Sequence, residues 1–358
     1  MSNINNIWLE KGYVDEAVDK NINLVDEIMK LKKQKNVCIM VHYYQDNAIQ
    51  DIADVIGDSL ALAQKATTVD ADMILICGVY FMGETIKILN PGKKVLIPDL
   101  NAACSLADSC KSTDFAAFKQ QHPDCKVVSY VNTSAEIKAL SDIVVTSSNA
   151  VKIVESFPKN QKLIFGPDRN LGSYINKVTG RKMILWDGCC HVHDRFSYFG
   201  TLNIKQEYPD YKLICHPECD PRFTYIADFV GSTAAMLKYV SEDPCKGFIV
   251  ATESGIFHQM KLQNPDKDFV QAYYNPATHN DTFYSFSTKD LFDYMINKNA
   301  KNPFVEAATP KLNQCEYMRL CTLEKIYLTL KYEWPEVIVK EELISKARVS
   351  IDNMLNLS

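Results

Sequence analysis

The sequence predicts an α/β protein of three pseudo-symmetric units, each built on a short parallel sheet. Three observations carry that prediction: short apolar runs alternate with amphipathic stretches of helical length, the chain matches itself at offsets of 86 to 88 residues, and polar residues recur directly after the apolar runs at those offsets.

The runs Val37 to Val41, Met73 to Ile76, Val127 to Tyr130, Leu163 to Phe165, Met183 to Trp186, Leu213 to Cys215 and Phe248 to Ala251 have the length of buried strands. Between them ETIKIL, AEIKAL and TAAMLKYV have the length and pattern of helices lying on a sheet. Such alternation favours parallel strands joined by right-handed crossovers.

The self-match is sharper than the alternation. Asp54 in ADVIGDSLALA, Asp142 in SDIVVTSSNAV and Asp228 in ADFVGSTAAML lie 88 and 86 residues apart, and each string carries a hydroxyl residue, Ser59, Ser147 and Thr233. At the same offsets His42-Tyr43-Tyr44 falls on Tyr130-Val131-Asn132 and on His216-Pro217-Glu218, while Gly78 falls on Gly166 and Thr252. Three α/β units about a pseudo-threefold axis follow, with strand carboxyl ends, where such sheets bind ligands, turned to a common centre. The expected units are 1–106, 107–193 and 194–319; the stretch from about residue 291 reads as helical, and helices over about 320–358 are expected to pack back on the first unit.

Composition excludes several function classes. The 358 residues suffice for two or three units, and 39 Lys plus Arg against 44 Asp plus Glu give a net charge of −5, so no nucleic-acid partner is expected. No run approaches the roughly 18 apolar residues of a membrane span, and the opening MSNINNIWLEKGYVDEAVDK has no leader pattern, so a cytoplasmic location and no membrane contact are expected. Twelve cysteines are far too few for a disulfide scaffold of this length. In a reducing compartment they are core filler, metal ligands or catalysts.

The strings GDSL, TSSN and GST place short polar residues at helix starts, where they cap the helix and expose amides that attract carboxylate or phosphate. One copy reads as ordinary capping; three converging copies read as an anion site. His42, His216, Tyr44, Tyr130 and Glu218 are of the types that act as acids, bases or hydrogen-bond clamps. Singly, each reads equally well as a satisfied core group.

Cys104 in NAACSLAD and Cys190 in WDGCCHVH also obey the repeat, 86 residues apart. The third repeat offers no cysteine near residue 276, where the chain reads NPATHN, and the next ones are Cys315 and Cys321 in QCEYMRLCTLEKI. No CxxC pair and no four-cysteine ferredoxin run occurs. Single, distant cysteines suit a cluster held between units better than a zinc site. The strings GxxxxGK[ST], GxGxxG, HExxH and GxSxG are absent, so the common nucleotide-binding, protease and hydrolase classes lose support.

The ordered strings HYYQDNAIQDIADVIGDSLALA, CGVYFMGETIKILNPGKKVLIPDLNAACSLAD, YVNTSAEIKALSDIVVTSSNAV, FGPDRNLGSYI, HPECD, VGSTAAML, ATESGIFHQM and CEYMRLCTLEKI, from about residue 42 to 326, resemble the quinolinate synthase family. The resemblance implies three three-layer α/β/α sandwich domains with short parallel sheets around a central cavity, and a 4Fe-4S cluster in it. By motif position Cys104, Cys190 and Cys315 look like the three ligands, leaving one iron open, with Cys110, Cys189 and Cys321 as neighbours.

The implied reaction joins iminoaspartate to dihydroxyacetone phosphate, giving quinolinate, phosphate and water in de novo NAD biosynthesis, with the open iron as Lewis acid. An L-aspartate oxidase or dehydrogenase is the implied supplier of iminoaspartate. His42, Ser59, Tyr130, Asn132 and Ser147 match residues around the substrate carboxylates, while His216, Ser232 and Thr233 match those that hold the phosphate. Tyr44 and Glu218 match the family's acid and base, His193 a residue lining the cavity, and Met318 one packed beside the cluster.

The chain departs from the family's frequent CxNM string with Cys315-Glu316-Tyr317-Met318, which keeps Cys321 in reserve as the third ligand. Two other readings compete. A diphthamide-synthase-like enzyme shares the three-unit plan but not HYYQ, YVNTS and HPEC, and a cluster-based sensor lacks a basic helix or an appended domain here.

Overall fold

A computed structural model gives the structure over residues 6–274 and 312–358; the string near residue 276 and the earlier part of the expected C-terminal helical stretch lie outside the described residues. It contains three four-stranded, fully parallel sheets with one shared strand order. The first holds β1 (Val37–His42), β2 (Val55–Gly57), β3 (Met73–Cys77) and β4 (Lys94–Leu96), in the order β2-β1-β3-β4. The second repeats it with β5 (Lys126–Tyr130), β6 (Ile143–Val145), β7 (Leu163–Gly166) and β8 (Ile184–Leu185), and the third with β9 (Lys212–Cys215), β10 (Phe229–Val230), β11 (Gly247–Ala251) and β12 (Asp268–Gln271). Helices pack on these sheets, so the α/β sandwich architecture expected from the sequence is the one observed.

The repeated aspartates have a structural role at the start of each unit. Asp54 Oδ2 accepts the Ile39 N–H, Asp142 Oδ2 the Val127 N–H and Asp228 Oδ2 the Leu213 N–H, each at 2.8 Å. The aspartate N–H returns a bond to the carbonyl of the same residue, at 2.9, 3.0 and 2.8 Å. This two-way clamp ties the first strand of each unit to the segment that becomes the edge strand beside it, satisfying backbone groups a short edge strand would leave open. Lys32, Lys126 and Lys205 pair with the three carboxylates.

A second repeated device was not read from the sequence. Lys93, Arg181 and Lys267, also 88 and 86 residues apart, each turn a cation onto carbonyls in the last turn of a helix or just past it. Lys93 Nζ reaches the carbonyls of Val69 and Ala71, Arg181 those of Phe157 and Pro158, and Lys267 those of Val240 and Asp243. Helix carboxyl ends leave carbonyls unpaired, and a basic side chain both bonds them and opposes the helix dipole.

The C-terminal segment does more than return to the first unit. The helix Leu323–Tyr332 packs on Leu24–Gln34, and the Val337 N–H donates to the Val95 carbonyl at 2.8 Å along the edge of the first sheet. The last helix, Glu341–Leu357, instead lies mainly against Ala135–Leu140 and β6 of the second unit. Its buried residues Ala347, Ile351 and Met354 join the largest core cluster, which runs through all three units. Among the described residues no helix is long and apolar enough to cross a membrane.

Candidate active site

Strand order decides where the site falls. In each sheet the chain leaves the first strand to one side and returns on the other, and such a reversal opens a crevice at the strand carboxyl ends. His42 ends β1, Tyr130 ends β5 and His216 directly follows β9. They line one shared cavity together with Tyr44, Asn132 and Glu218, two residues further on in each unit. Ser59, Ser147 and Thr233, Cys104, Cys190 and Cys315, and His193 and Met318 line the same cavity, so every site residue expected from the sequence except Ser232 is on its wall. Among the described residues no lysine or arginine lines it.

Ser232 is buried outside this cavity. Its Oγ accepts the Ala235 N–H at 3.2 Å as the cap of helix Thr233–Glu242 and lies 2.8 Å from Ser148 Oγ. Ser148 Oγ is 2.7 Å from Asp58 Oδ2, so Asp58, Ser148 and Ser232 join the three units in one hydroxyl and carboxylate knot. The caps of two of the repeated helices, Asp58 and Ser232, therefore meet through Ser148.

The histidines are fixed by backbone contacts. His42 Nδ1 accepts the Tyr44 N–H at 3.1 Å and His216 Nδ1 the Glu218 N–H at 3.3 Å, so both rings are neutral with the proton on Nε2. Burial lowers their pKa values to about 4 and about 3, in keeping with that tautomer. His216 Nε2 lies 3.2 Å from Ser147 Oγ.

Burial alone would raise the Glu218 pKa, yet its carboxyl is held below the usual range by the imidazoles of His216 and His193 and by the Tyr130 hydroxyl. His193 Nδ1 lies 2.8 Å from Glu218 Oε2. His193 Nε2 is 2.9 Å from Thr252 Oγ1, which is 2.7 Å from the Tyr44 hydroxyl, itself 2.8 Å from Thr233 Oγ1. Glu218, His193, Thr252, Tyr44 and Thr233 thus form one hydrogen-bonded chain. Burial raises the Tyr44 and Tyr130 pKa values well above the ordinary phenol range, keeping both as neutral donors.

Gly255 allows a close approach that this chain needs. A Cβ there would lie 2.7 Å from the Tyr44 carbonyl carbon, so a larger residue would push Tyr44 out of place.

The three thiols share one local geometry. Each cysteine precedes a short helical turn, and its sulfur accepts following N–H groups: Leu106 and Ala107 for Cys104, His193 for Cys190, and Tyr317 and Met318 for Cys315. Burial pushes Cys104 and Cys315 up to about 12 and Cys190 well above the usual thiol value. Neighbouring Cys315 raises Cys104 further, and Glu218 and Cys104 do the same to Cys190. Buried sulfurs crowded this way are costly as free thiolates and are relieved by a soft cation. Amide donors aimed at sulfur favour the ligating form, so the trio fits an iron-sulfur group.

Buried carboxylates that the sequence reading missed stand behind two of the thiols. Asp168 Oδ2 accepts the Cys190 N–H at 3.1 Å, and Glu253 Oε1 accepts the Cys315 N–H at 3.1 Å and pairs with Arg319 at 2.8 Å. Both follow the third strand of their unit within two residues of the repeated Gly166 and Thr252, a position at which a carboxylate was visible in the sequence. Cys321 is buried beside Cys77 and does not line the cavity. A second donor set exists: Cys190, His193 and Glu218 offer ligand atoms within 4.8 Å of one another.

Fold and cavity together define a class: a three-unit α/β protein whose sheets share one central chamber carrying three thiols and a hydrogen-bonded chain of titratable and hydroxyl side chains. The quinolinate synthetase A protein family matches residues 26–356. The chain is 48% identical over 336 residues to the quinolinate synthase of Synechocystis sp., with 94% of this chain and 96% of that one covered. It is 49% identical over 337 residues to that of Chloroherpeton thalassium, covering 94% and 95%, and 47% identical over 346 residues to that of Trichodesmium erythraeum, covering 95% and 97%. The chain belongs to the quinolinate synthetase A family.

Proposed function

We propose that the protein is a quinolinate synthase that condenses iminoaspartate with dihydroxyacetone phosphate, releasing phosphate and water, in NAD biosynthesis. We assign Cys104, Cys190 and Cys315 as the holders of a 4Fe-4S cluster with one open iron. The carrying observation is that these thiols, far apart in sequence, line the same buried cavity as the acid-base chain in a member of this family. The bound cluster supplies a Lewis acid suited to holding a substrate oxygen or nitrogen and easing loss of hydroxide.

The remaining work falls to side chains. Substrate carboxylates are held by His42, Ser59, Tyr130, Asn132 and Ser147 through N–H and O–H donors, no lysine or arginine lining the cavity among the described residues. Thr233 and His216 hold the phosphate, with Ser232 fixing Thr233 from behind as the helix cap. Orientation of two reactants by such contacts is worth several kcal/mol of barrier. Glu218 takes and returns protons, and the chain through His193 and Thr252 to Tyr44 lets a proton removed on one side of the cavity be given back on the other. The same reading includes unit limits at 1–106, 107–193 and 194–319, a cytoplasmic site of action, and an L-aspartate oxidase or dehydrogenase as supplier of iminoaspartate.

The test is an anaerobic assay of protein reconstituted with iron and sulfide, given dihydroxyacetone phosphate and iminoaspartate formed from oxaloacetate and ammonia. Quinolinate and phosphate are expected in equal amounts; cluster-loaded protein that makes none overturns the assignment. The donor set Cys190, His193 and Glu218 supports a second reading, a single metal ion, and metal analysis showing one ion without sulfide would favour it.

A further inference from the structure

The residues directly after the three cavity cysteines are hydrogen-bonded to one another. Ser105 follows Cys104, His191 follows Cys190 and Glu316 follows Cys315. Ser105 Oγ lies 2.7 Å from His191 Nδ1 and accepts the His191 N–H at 3.3 Å. His191 Nε2 lies 2.8 Å from Glu316 Oε2, and Arg195 Nη1 donates to Glu316 Oε1 at 2.6 Å. A single proton arrangement satisfies the chain: the serine hydroxyl donates to Nδ1, Nε2–H donates to one carboxylate oxygen, and the guanidinium holds the other.

We propose that Ser105, His191 and Glu316 form a clasp, with His191 as its hub, that fixes the spacing of the three cysteine-bearing segments and so retains a cluster bound by them. This rests on the reading that Cys104, Cys190 and Cys315 are the ligands. His191, Ser105 and Tyr317 line the cavity while Glu316 is 61% exposed on its outer side, so the clasp lies across the rim where three separate stretches of chain meet. The ring of Tyr317 meets His191 edge-on at 5.8 Å, packing the same junction from within.

An ion pair as exposed as Glu316 with Arg195 does little for overall stability, because water screens it and long side chains lose entropy in making it. Its effect is local. Two of the three ligand segments, those of Cys190 and Cys315, already rest on buried carboxylates, Asp168 and Glu253. The Cys104 segment has no such carboxylate behind its N–H among the described residues; Ser105 is its link to the others. His191, Ser105 and Glu316 are therefore positioning residues, acting on the cluster through the backbone of its ligands.

The experiment uses anaerobically reconstituted full-length protein and follows loss of visible cluster absorbance in excess iron chelator, alongside the thermal midpoint of the metal-free protein. Partners that orient metal ligands are worth about 10- to 100-fold in metal retention, so Glu316→Ala should lose its cluster roughly tenfold faster than wild type, with an unchanged midpoint for the metal-free protein. Glu316→Gln, which can still accept from Nε2–H, should recover most of the wild-type rate. The His191→Ala/Glu316→Ala pair should lose the cluster faster than either single variant, because His191→Ala leaves the Arg195–Glu316 bond and Glu316→Ala leaves the Ser105–His191 bond. Equal rates for Glu316→Ala and wild type overturn the clasp alone. Wild-type protein that takes up no iron and sulfide overturns the ligand reading and the clasp with it.

Discussion

At the residue scale the account turns on Glu218 and the neutral histidines around it. Glu218→Gln preserves shape and hydrogen bonding while removing the base, so kcat is expected to fall by about 10² or more with the cluster absorbance kept. Near-normal turnover would make Glu218 scaffolding. His42 carries a prediction in pH. Its folded pKa of about 4 lies below the ordinary 6.5, so the unfolded chain takes a proton that the folded protein refuses, and stability present above pH 6.5 is lost as pH falls toward 4. Between pH 7.5 and 5, wild type should lose about 2 kcal/mol more than His42→Gln, which cannot titrate there. Urea unfolding at the two values measures this, and a constant difference would contradict the buried neutral ring. These residues were legible because each follows an apolar run at the repeat spacing. Asp168, Glu253, Ser105, His191 and Glu316 were not singled out, since a lone polar residue in a loop carries no spacing signal until the fold shows what it touches.

At the element scale the repeated aspartate, in sequence only part of a motif, proves to be a strand clamp. Asp142→Ala strips the acceptor from the buried Val127 N–H and should cost about 1–3 kcal/mol in urea unfolding, with Asp142→Asn nearer wild type because its amide oxygen still accepts. No loss in the alanine variant would refute the clamp. Seven strand-like runs were readable, and all seven contain strands. The five others, β2, β4, β6, β10 and β12, span two to four residues at sheet edges, too short for periodicity to mark them. Their positions come from pairing with a central strand, which is tertiary information. The cationic helix-end caps at Lys93, Arg181 and Lys267 were hidden for a different reason: the second copy uses a different residue type, so only the spacing connects them.

At the scale of the whole molecule, repetition explains both what the sequence revealed and what it concealed. Three units with one strand order present three sets of strand ends to one chamber, so the offset of 86 to 88 residues is by itself a pointer to a shared centre. The C-terminal segment breaks the repeat, and no offset foretold that its last helix would cross to the second unit. Cys315 breaks it too, which is why spacing alone left Cys315 and Cys321 level, while the fold places Cys315 on the cavity wall and Cys321 beside Cys77. The central claim is that thiols from three separated stretches hold one cluster. It is tested most directly by iron and sulfide content, with visible absorbance, of anaerobically reconstituted Cys104→Ser, Cys190→Ser, Cys315→Ser and Cys321→Ser proteins. The account predicts loss of the cluster in the first three and retention in the fourth; a full cluster in any of the first three, or its loss only in Cys321→Ser, would contradict it.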